Sequence, residues 1–98
     1  MAYKISWTNI AFQDYQKVIE YLIAEWSLTD AVNFENTVKK KLANLSRQPF
    51  IGIVSQKNPF VISILLSKYN RLYYRVKEET IELLNVFDTR QNPDRNPF

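Results

Sequence analysis

Apolar positions change period several times along this chain, and each change marks a new element. Tyr3, Ile5 and Trp7 alternate with Lys4 and Ser6, the two-residue period of a half-buried strand. Thr8 or Asn9 can cap the segment that follows, from about Asn9 to Trp26, where Phe12, Tyr15, Ile19, Leu22 and Trp26 recur at three- and four-residue steps. That spacing predicts a helix. Val18, Tyr21 and Ile23 widen its apolar face, enough to reach a sheet as well as a second helix. Ser27 to Thr29 breaks and recaps the chain, and Ala31, Phe34, Val38, Leu42 and Leu45 form a second helical stripe. The two helices are expected to form a hairpin, with Trp7 and Trp26 in the core.

The period then returns to two. Arg47 to Pro59 holds Pro49, Gly52 and Pro59, and reads as a loop. Phe60 to Leu66 is almost continuously apolar, which suits a strand buried on both faces or a helix segment; its β-branched residues and flanking proline favour the strand. Ser67 and Lys68 make a tight connection to Tyr69–Val76, Lys77 to Thr80 is a polar turn with Glu78 and Glu79, and Ile81 to Phe87 is a further strand. The fold class expected is α+β: an N-terminal strand, a two-helix hairpin and a three-stranded antiparallel meander, βααβββ. Residues 1–98 form a single domain of ordinary size, with 89–98 an irregular, mobile tail that carries two prolines and little to bury.

The strand Tyr69–Val76 sorts its side chains most sharply. Alternation puts Tyr69, Arg71, Tyr73 and Arg75 on one face and Leu72, Tyr74 and Val76 on the other. Guanidinium groups interleaved with aromatic rings suit phosphates, bases or carboxylates better than solubility alone requires.

Composition removes whole classes of function. Apolar residues are 46% and charged residues 23%, which suits a globular chain. There is no cysteine, hence no disulfide, thiol nucleophile or thiolate metal site, and no histidine, the commonest metal ligand and neutral-pH base. One glycine, Gly52, cannot build a phosphate-cradling loop. No metal or cofactor is therefore expected. No stretch approaches the roughly 20 apolar residues that span a bilayer, and the first residues lack a signal-peptide apolar segment, so the chain reads as soluble and cytoplasmic, without membrane partners.

The net charge of +3 hides a segregation. Lys39, Lys40, Lys41, Arg47, Lys57, Lys68, Arg71, Arg75 and Lys77 follow one another with no acidic residue between, while acids outnumber bases on both sides. Solvated faces account for some of this, Lys39 to Lys41 above all; the rest suits an anionic partner, nucleic acid or not.

The order strand, helix, helix, loop, three strands resembles the RelE/ParE superfamily of toxins from type II toxin–antitoxin systems. The resemblance covers nearly the whole chain and rests on Leu45-Ser46-Arg47-Gln48-Pro49 with Gly52, on Arg71-Leu72-Tyr73-Tyr74, and on Asn85-Val86-Phe87-Asp88-Thr89-Arg90-Gln91-Asn92-Pro93. The ParE-like branch is favoured. The resemblance implies a growth-inhibiting toxin of a plasmid-stabilisation system, held in check by a cognate antitoxin whose acidic, partly disordered C-terminal segment folds across it. Arg71, Arg75 and Lys68 would pair with that segment's charges, and Phe12, Tyr15 and Tyr21 would receive its hydrophobic anchors, although Tyr15 suits core packing equally.

The superfamily leaves two targets. RelE-type members cleave messenger RNA on the ribosome; ParE-type members inhibit DNA gyrase. Cleavage through the 2′-hydroxyl needs a base, cations for the phosphorane charge and an acid. Arg71 matches the family's sheet arginine and Arg90 the one after the last strand. Where RelE-like chains carry lysines on the preceding strand, this one has Ile62 and Ile64, and its tail offers Asn96 and Phe98 but no tyrosine or histidine. Lys68, Tyr69 and Tyr73 are the available substitutes, yet Lys and Tyr titrate near 10 when unperturbed. Read as a nuclease, the site is Arg71, Arg90, Lys68 and Tyr73; read as a docking surface, it is Tyr69, Arg71, Tyr73, Arg75, Lys68 and Arg90. A degenerate toxin or plain nucleic-acid-binding module is the third reading. Arg71 and Arg90 also have a purely structural use, as ion-pair partners of Glu82 or Asp88. The expectation leans to a toxin that binds rather than catalyses.

Overall fold

Thr8 ends the first strand and starts the first helix. In the computed structural model, which describes residues 2–98, β1 spans Lys4–Trp7 and α1 spans Asn9–Glu25. The Thr8 hydroxyl accepts from the Ala11 N–H at 3.2 Å and donates to the Leu83 carbonyl at 2.7 Å, so one side chain caps the helix and ties it to the sheet. Only Trp26 and Ser27 separate α1 from α2, Leu28–Arg47. Ser27 accepts from the Asp30 N–H at 3.0 Å and donates to the Asp30 carboxylate at 2.8 Å, a reciprocal cap that starts α2 at once.

The strands are β2 Ile53–Val54, β3 Ile62–Ser67, β4 Asn70–Lys77 and β5 Thr80–Asp88. They form one mixed sheet of order β1-β5-β4-β3-β2, antiparallel except where β1 runs parallel to β5. The expected α+β order holds, with one addition. The segment read as loop contains β2, which pairs with β3 through Ile53 opposite Ser63 and Val54 opposite Ile62. Two residues between punctuation marks are too short to show a period.

Gly52 explains why that edge can form. A Cβ there would stand 2.5 Å from the Ser63 carbonyl, 2.6 Å from Ile62 Cγ2 and 2.9 Å from the Tyr74 hydroxyl. Beneath it the buried Tyr74 hydroxyl donates to the Pro49 carbonyl at 2.8 Å. Burial pushes the Tyr74 phenol above its ordinary pKa, with a smaller opposing contribution from the Gly52 backbone.

Helices cover one sheet face. Leu72, Tyr74, Ile81 and Leu83 are fully buried beneath Ala11, Phe34, Val38 and Leu45. On β5, Tyr73 faces Asn85 but Tyr74 faces Leu83, so Leu84 is an extra residue. At this bulge Asp14 of α1 accepts from both the Val86 N–H at 3.0 Å and the Asn85 amide at 2.7 Å. A carboxylate thus takes a backbone donor beside the ladder's irregularity and pins α1 to the sheet. A second irregularity, between Leu65 and Ser67, lies beside the Leu65 carbonyl, which accepts from Lys41 at 2.6 Å. Lys41 therefore bridges α2 to β3, whereas Lys39 pairs with Glu35 along the exposed helix. The β4–β5 hairpin closes over Glu78 and Glu79, and Glu78 holds a left-handed φ of 58°.

Two tryptophans expected in the core part company. Trp7 packs against it, while Trp26, at the helix turn, is 70% exposed. Tyr21 and Ile23 are likewise exposed, on opposite sides of the α1 face that packs inward. The tail, expected to be irregular and mobile, carries a short 3-10 turn at Pro93–Arg95 and folds back across the sheet.

Candidate functional site

The central strand places Arg71, Tyr73 and Arg75 on the sheet face away from the helices, each with a partner. Arg75 meets Glu82, directly opposite on β5, at 2.6 Å. Among the described residues Arg71 meets no carboxylate; its Nη1 donates to Ser63 Oγ on β3 at 2.9 Å. Tyr73 is only 7% exposed because the tail covers it. The Phe98 ring lies 5.5 Å from the Tyr73 ring, and the Asn96 amide donates to the Tyr73 hydroxyl at 2.6 Å. From the β2–β3 loop, Lys57 donates to the Asn96 carbonyl at 2.9 Å and Ser55 to a main-chain oxygen of Phe98.

Tyr69 does not join this face. With Lys68 it forms the two-residue β3–β4 turn, held to the chain after β5 where Thr89 N–H donates to the Tyr69 carbonyl at 2.8 Å. The turn carries the ring out of strand alternation. Arg90 lies over it at 4.4 Å and Lys68 at 5.3 Å, so a cation stands near the ring on either account. Arg90 also grips Asp88 through two bonds, Nε at 3.0 Å and Nη2 at 2.8 Å. That hydrogen-bonded pairing lowers the Asp88 carboxyl below its ordinary pKa and raises the Arg90 guanidinium, with Tyr21 adding to the latter.

Together these groups line a groove of about 760 Å³ between α1, the helix turn, the β3–β4 turn and the end of β5. Val18, Leu22 and Phe34 supply apolar wall, and Tyr21 and Trp26 stand at its exposed margin. Lys17, Lys68 and Arg95 also line it, and none of them is in an ion pair among the described residues. Asp14, Asp30 and Asp88 line it too, so the groove has an apolar wall and a rim of both charges, with four cations to three carboxylates.

Phe12 and Tyr15 belong elsewhere. They border a separate cleft with Gln16, Ile19, Glu20 and Glu35. Tyr15 stacks on Phe34 at 6.1 Å and packs at 5.2 Å against Trp7, and burial, then Glu35, raises its pKa. Tyr15 is thus part of the core, as its spacing equally allowed, and Phe12 reaches Trp7 edge-on at 6.1 Å.

The nuclease residues are consequently divided: Tyr73 lies under the tail with Arg71 on the same sheet face, and Lys68 and Arg90 lie beside the groove. On β3, Ile62 is buried and Ile64 packs against the core, and neither supplies a cation. Among the described residues no three His, Cys, Asp or Glu side chains gather as a metal site. None of the described helices is long and apolar enough to cross a membrane.

Residues 5–93 match the family described as the ParE toxin of type II toxin–antitoxin systems, parDE. The chain belongs to the ParE toxin family. Solved structures share its fold at low identity. The chromosomal ParDE toxin–antitoxin system of P. aeruginosa matches at TM-score 0.74 and 17% identity, over 89% of this chain and 96% of that one. The RelBE2 toxin–antitoxin complex of Mycobacterium tuberculosis matches at 0.59 and 21%, over 90% and 99%. A YoeB/ParE toxin from Agrobacterium tumefaciens matches at 0.62 and 19%, over 87% and 97%. No curated protein matches the sequence. The expected superfamily and fold stand, and this ParE-family chain is a toxin of a type II system.

Sequence reasoning missed several of the residues that build these surfaces. Ser55 and Lys57 sat in an unassigned loop, Lys17 and Arg95 among scattered charges, and Trp26 in an expected core. For Trp26 a signal existed: it closes the helical stripe directly before the Ser27 cap, where a side chain runs past the end of its partner layer.

Proposed function

We propose that this toxin inhibits growth by binding its target, as a ParE-like inhibitor of DNA gyrase, and that a cognate antitoxin neutralises it. The observation that carries this reading is the division of the arginines. Arg71 is engaged by Ser63 on the outer sheet face, and Arg90 by Asp88 beside the groove. Cleavage of RNA needs cations, a base and an acid converging on one phosphate. Beside the groove, pairing moves Asp88 down and Arg90 up, both away from neutrality.

The groove suits the antitoxin. An acidic segment gains Lys17, Lys68 and Arg95 at the rim, which steer and orient it, and its apolar residues enter between Tyr21, Trp26 and Leu22. This moves the expected docking surface from Phe12 and Tyr15 to the Tyr21 side of α1. The ParDE and RelBE2 structures are of toxin–antitoxin systems, in keeping with such a partner.

Induced expression with two readouts tests the proposal. Loss of plasmid supercoiling with intact messages is the expected result. Cut messages with normal supercoiling would replace gyrase inhibition by RelE-like cleavage. Neither effect, with tight binding to the adjacent gene product, would identify a toxin that has lost its activity.

A further inference from the structure

The groove is open, but the opposite sheet face is already occupied, and by this chain. Asn96 and Phe98 sit on Tyr73 as a ligand would. The Phe98 ring packs at 5.5 Å on the Tyr73 ring, and the Asn96 amide donates to the phenol at 2.6 Å. Lys57 holds the Asn96 carbonyl at 2.9 Å and Ser55 holds a main-chain oxygen of Phe98. The Phe98 N–H turns back to Asn96 Oδ1 at 3.0 Å, fixing the two residues as one compact unit.

The receiving groups come from β4 and the β2–β3 loop, which are positioned without the tail. Tyr73 lies mid-strand between Ser63 and Asn85, and Ser55 N–H donates to the Val61 carbonyl at 2.8 Å, closing the loop beneath it. The resident is a short segment that follows the polar stretch from Gln91 to Arg95. Within the described residues Lys57 and Arg71 form no ion pair.

We infer that the Tyr73 face is a peptide-binding site held closed by the Asn96–Phe98 segment, and that it accepts a partner's extended segment carrying an aromatic residue two positions after an asparagine. The resident defines the chemistry: an aromatic ring for Tyr73, a side-chain amide for its hydroxyl, a backbone carbonyl for Lys57 and a main-chain oxygen for Ser55. Displacement frees the face that bears Arg71 and Tyr73. The tail acts as a strap because tethering gives it an effective concentration in the millimolar range, which a free segment must exceed or out-bind. The inference stands apart from the choice of cellular target, since it concerns only which peptide Tyr73 receives.

The test uses the full-length chain and a fluorescent peptide of residues 91–98. The double variant Asn96→Ala, Phe98→Ala should bind the peptide saturably, and the wild type at least about tenfold more weakly, because its own tail competes. A peptide carrying Phe98→Ala should not bind. Equal binding to both chains, binding to neither, or binding of an oligothymidylate to the opened variant in place of the peptide overturns the inference. A second measurement needs no ligand. Tetranitromethane should nitrate Tyr73 in the double variant about tenfold faster than in the wild type, as reaction follows exposure; equal rates would show that the tail does not cover the site.

Discussion

Arg71 and Arg90 both stand close to tyrosines in the same small sheet, yet their surroundings differ in kind. Arg71 lies on the outer face, bound to Ser63, beside a Tyr73 that the tail has covered. Arg90 lies over Tyr69 at the open end of the sheet, with its charge opposed by Asp88 and three cations near it that form no ion pair among the described residues. The sequence places the two arginines in one functional surface; the fold gives each its own. A cation and an aromatic ring at strand spacing thus say little until it is known what covers them.

Perturbing one surface should leave the other intact, and the largest effect is expected beneath the closed face. Gly52→Ala forces a methyl group to within 2.5 Å of the Ser63 carbonyl, so β2 and the Ser55–Lys57 foothold must shift. A loss of about 3 kcal/mol in urea unfolding is expected, with Tyr73 opened to nitration and antitoxin affinity retained by the folded fraction.

Next comes the open groove. Tyr21→Ala should weaken antitoxin binding by about 2 kcal/mol, roughly 30-fold, as loss of an aromatic anchor. Arg75→Ala, which removes a pair with Glu82 on the other face, should change it by less than about 0.5 kcal/mol. Calorimetric titration separates the two; equal effects would mean that the antitoxin spans both faces.

Tyr74→Phe leaves the buried Pro49 carbonyl without its donor and should cost about 1 kcal/mol. Because the folded-state pKa of Tyr74 is raised above 10.0, its contribution is complete below that pH and is lost as pH rises through the shifted value. The variant should therefore flatten part of the alkaline limb of stability against pH. Asp88→Asn gives the smallest effect, at the acid end. The Asp88 pKa is lowered from 3.8, so its contribution is present above that pH and is lost as pH falls through the shifted value. Urea midpoints between pH 2 and 5 should lose part of their slope in the variant, an order of magnitude set by solvent screening.

Periodicity located both helices and four of the five strands, because each buries one face across several residues. It could not locate β2, whose two residues owe their pairing to the space that Gly52 leaves. Nor could it follow Tyr69, since the turn at Lys68 and Tyr69 removes that ring from the alternation that holds for Arg71, Tyr73 and Arg75. The site was legible as a list of residue types and illegible as an arrangement. Asn96 and Phe98 offered no hydrophobic period, and their partners Ser55, Lys57 and Tyr73 lie 23 to 43 residues away.

Primer extension on a message in a translation extract tests most directly whether the Arg71–Tyr73 face is a covered surface or an active site. With purified toxin added, the account predicts an intact message, identical for the wild type and Arg71→Ala. Discrete cuts made by the wild type and lost in Arg71→Ala would contradict it.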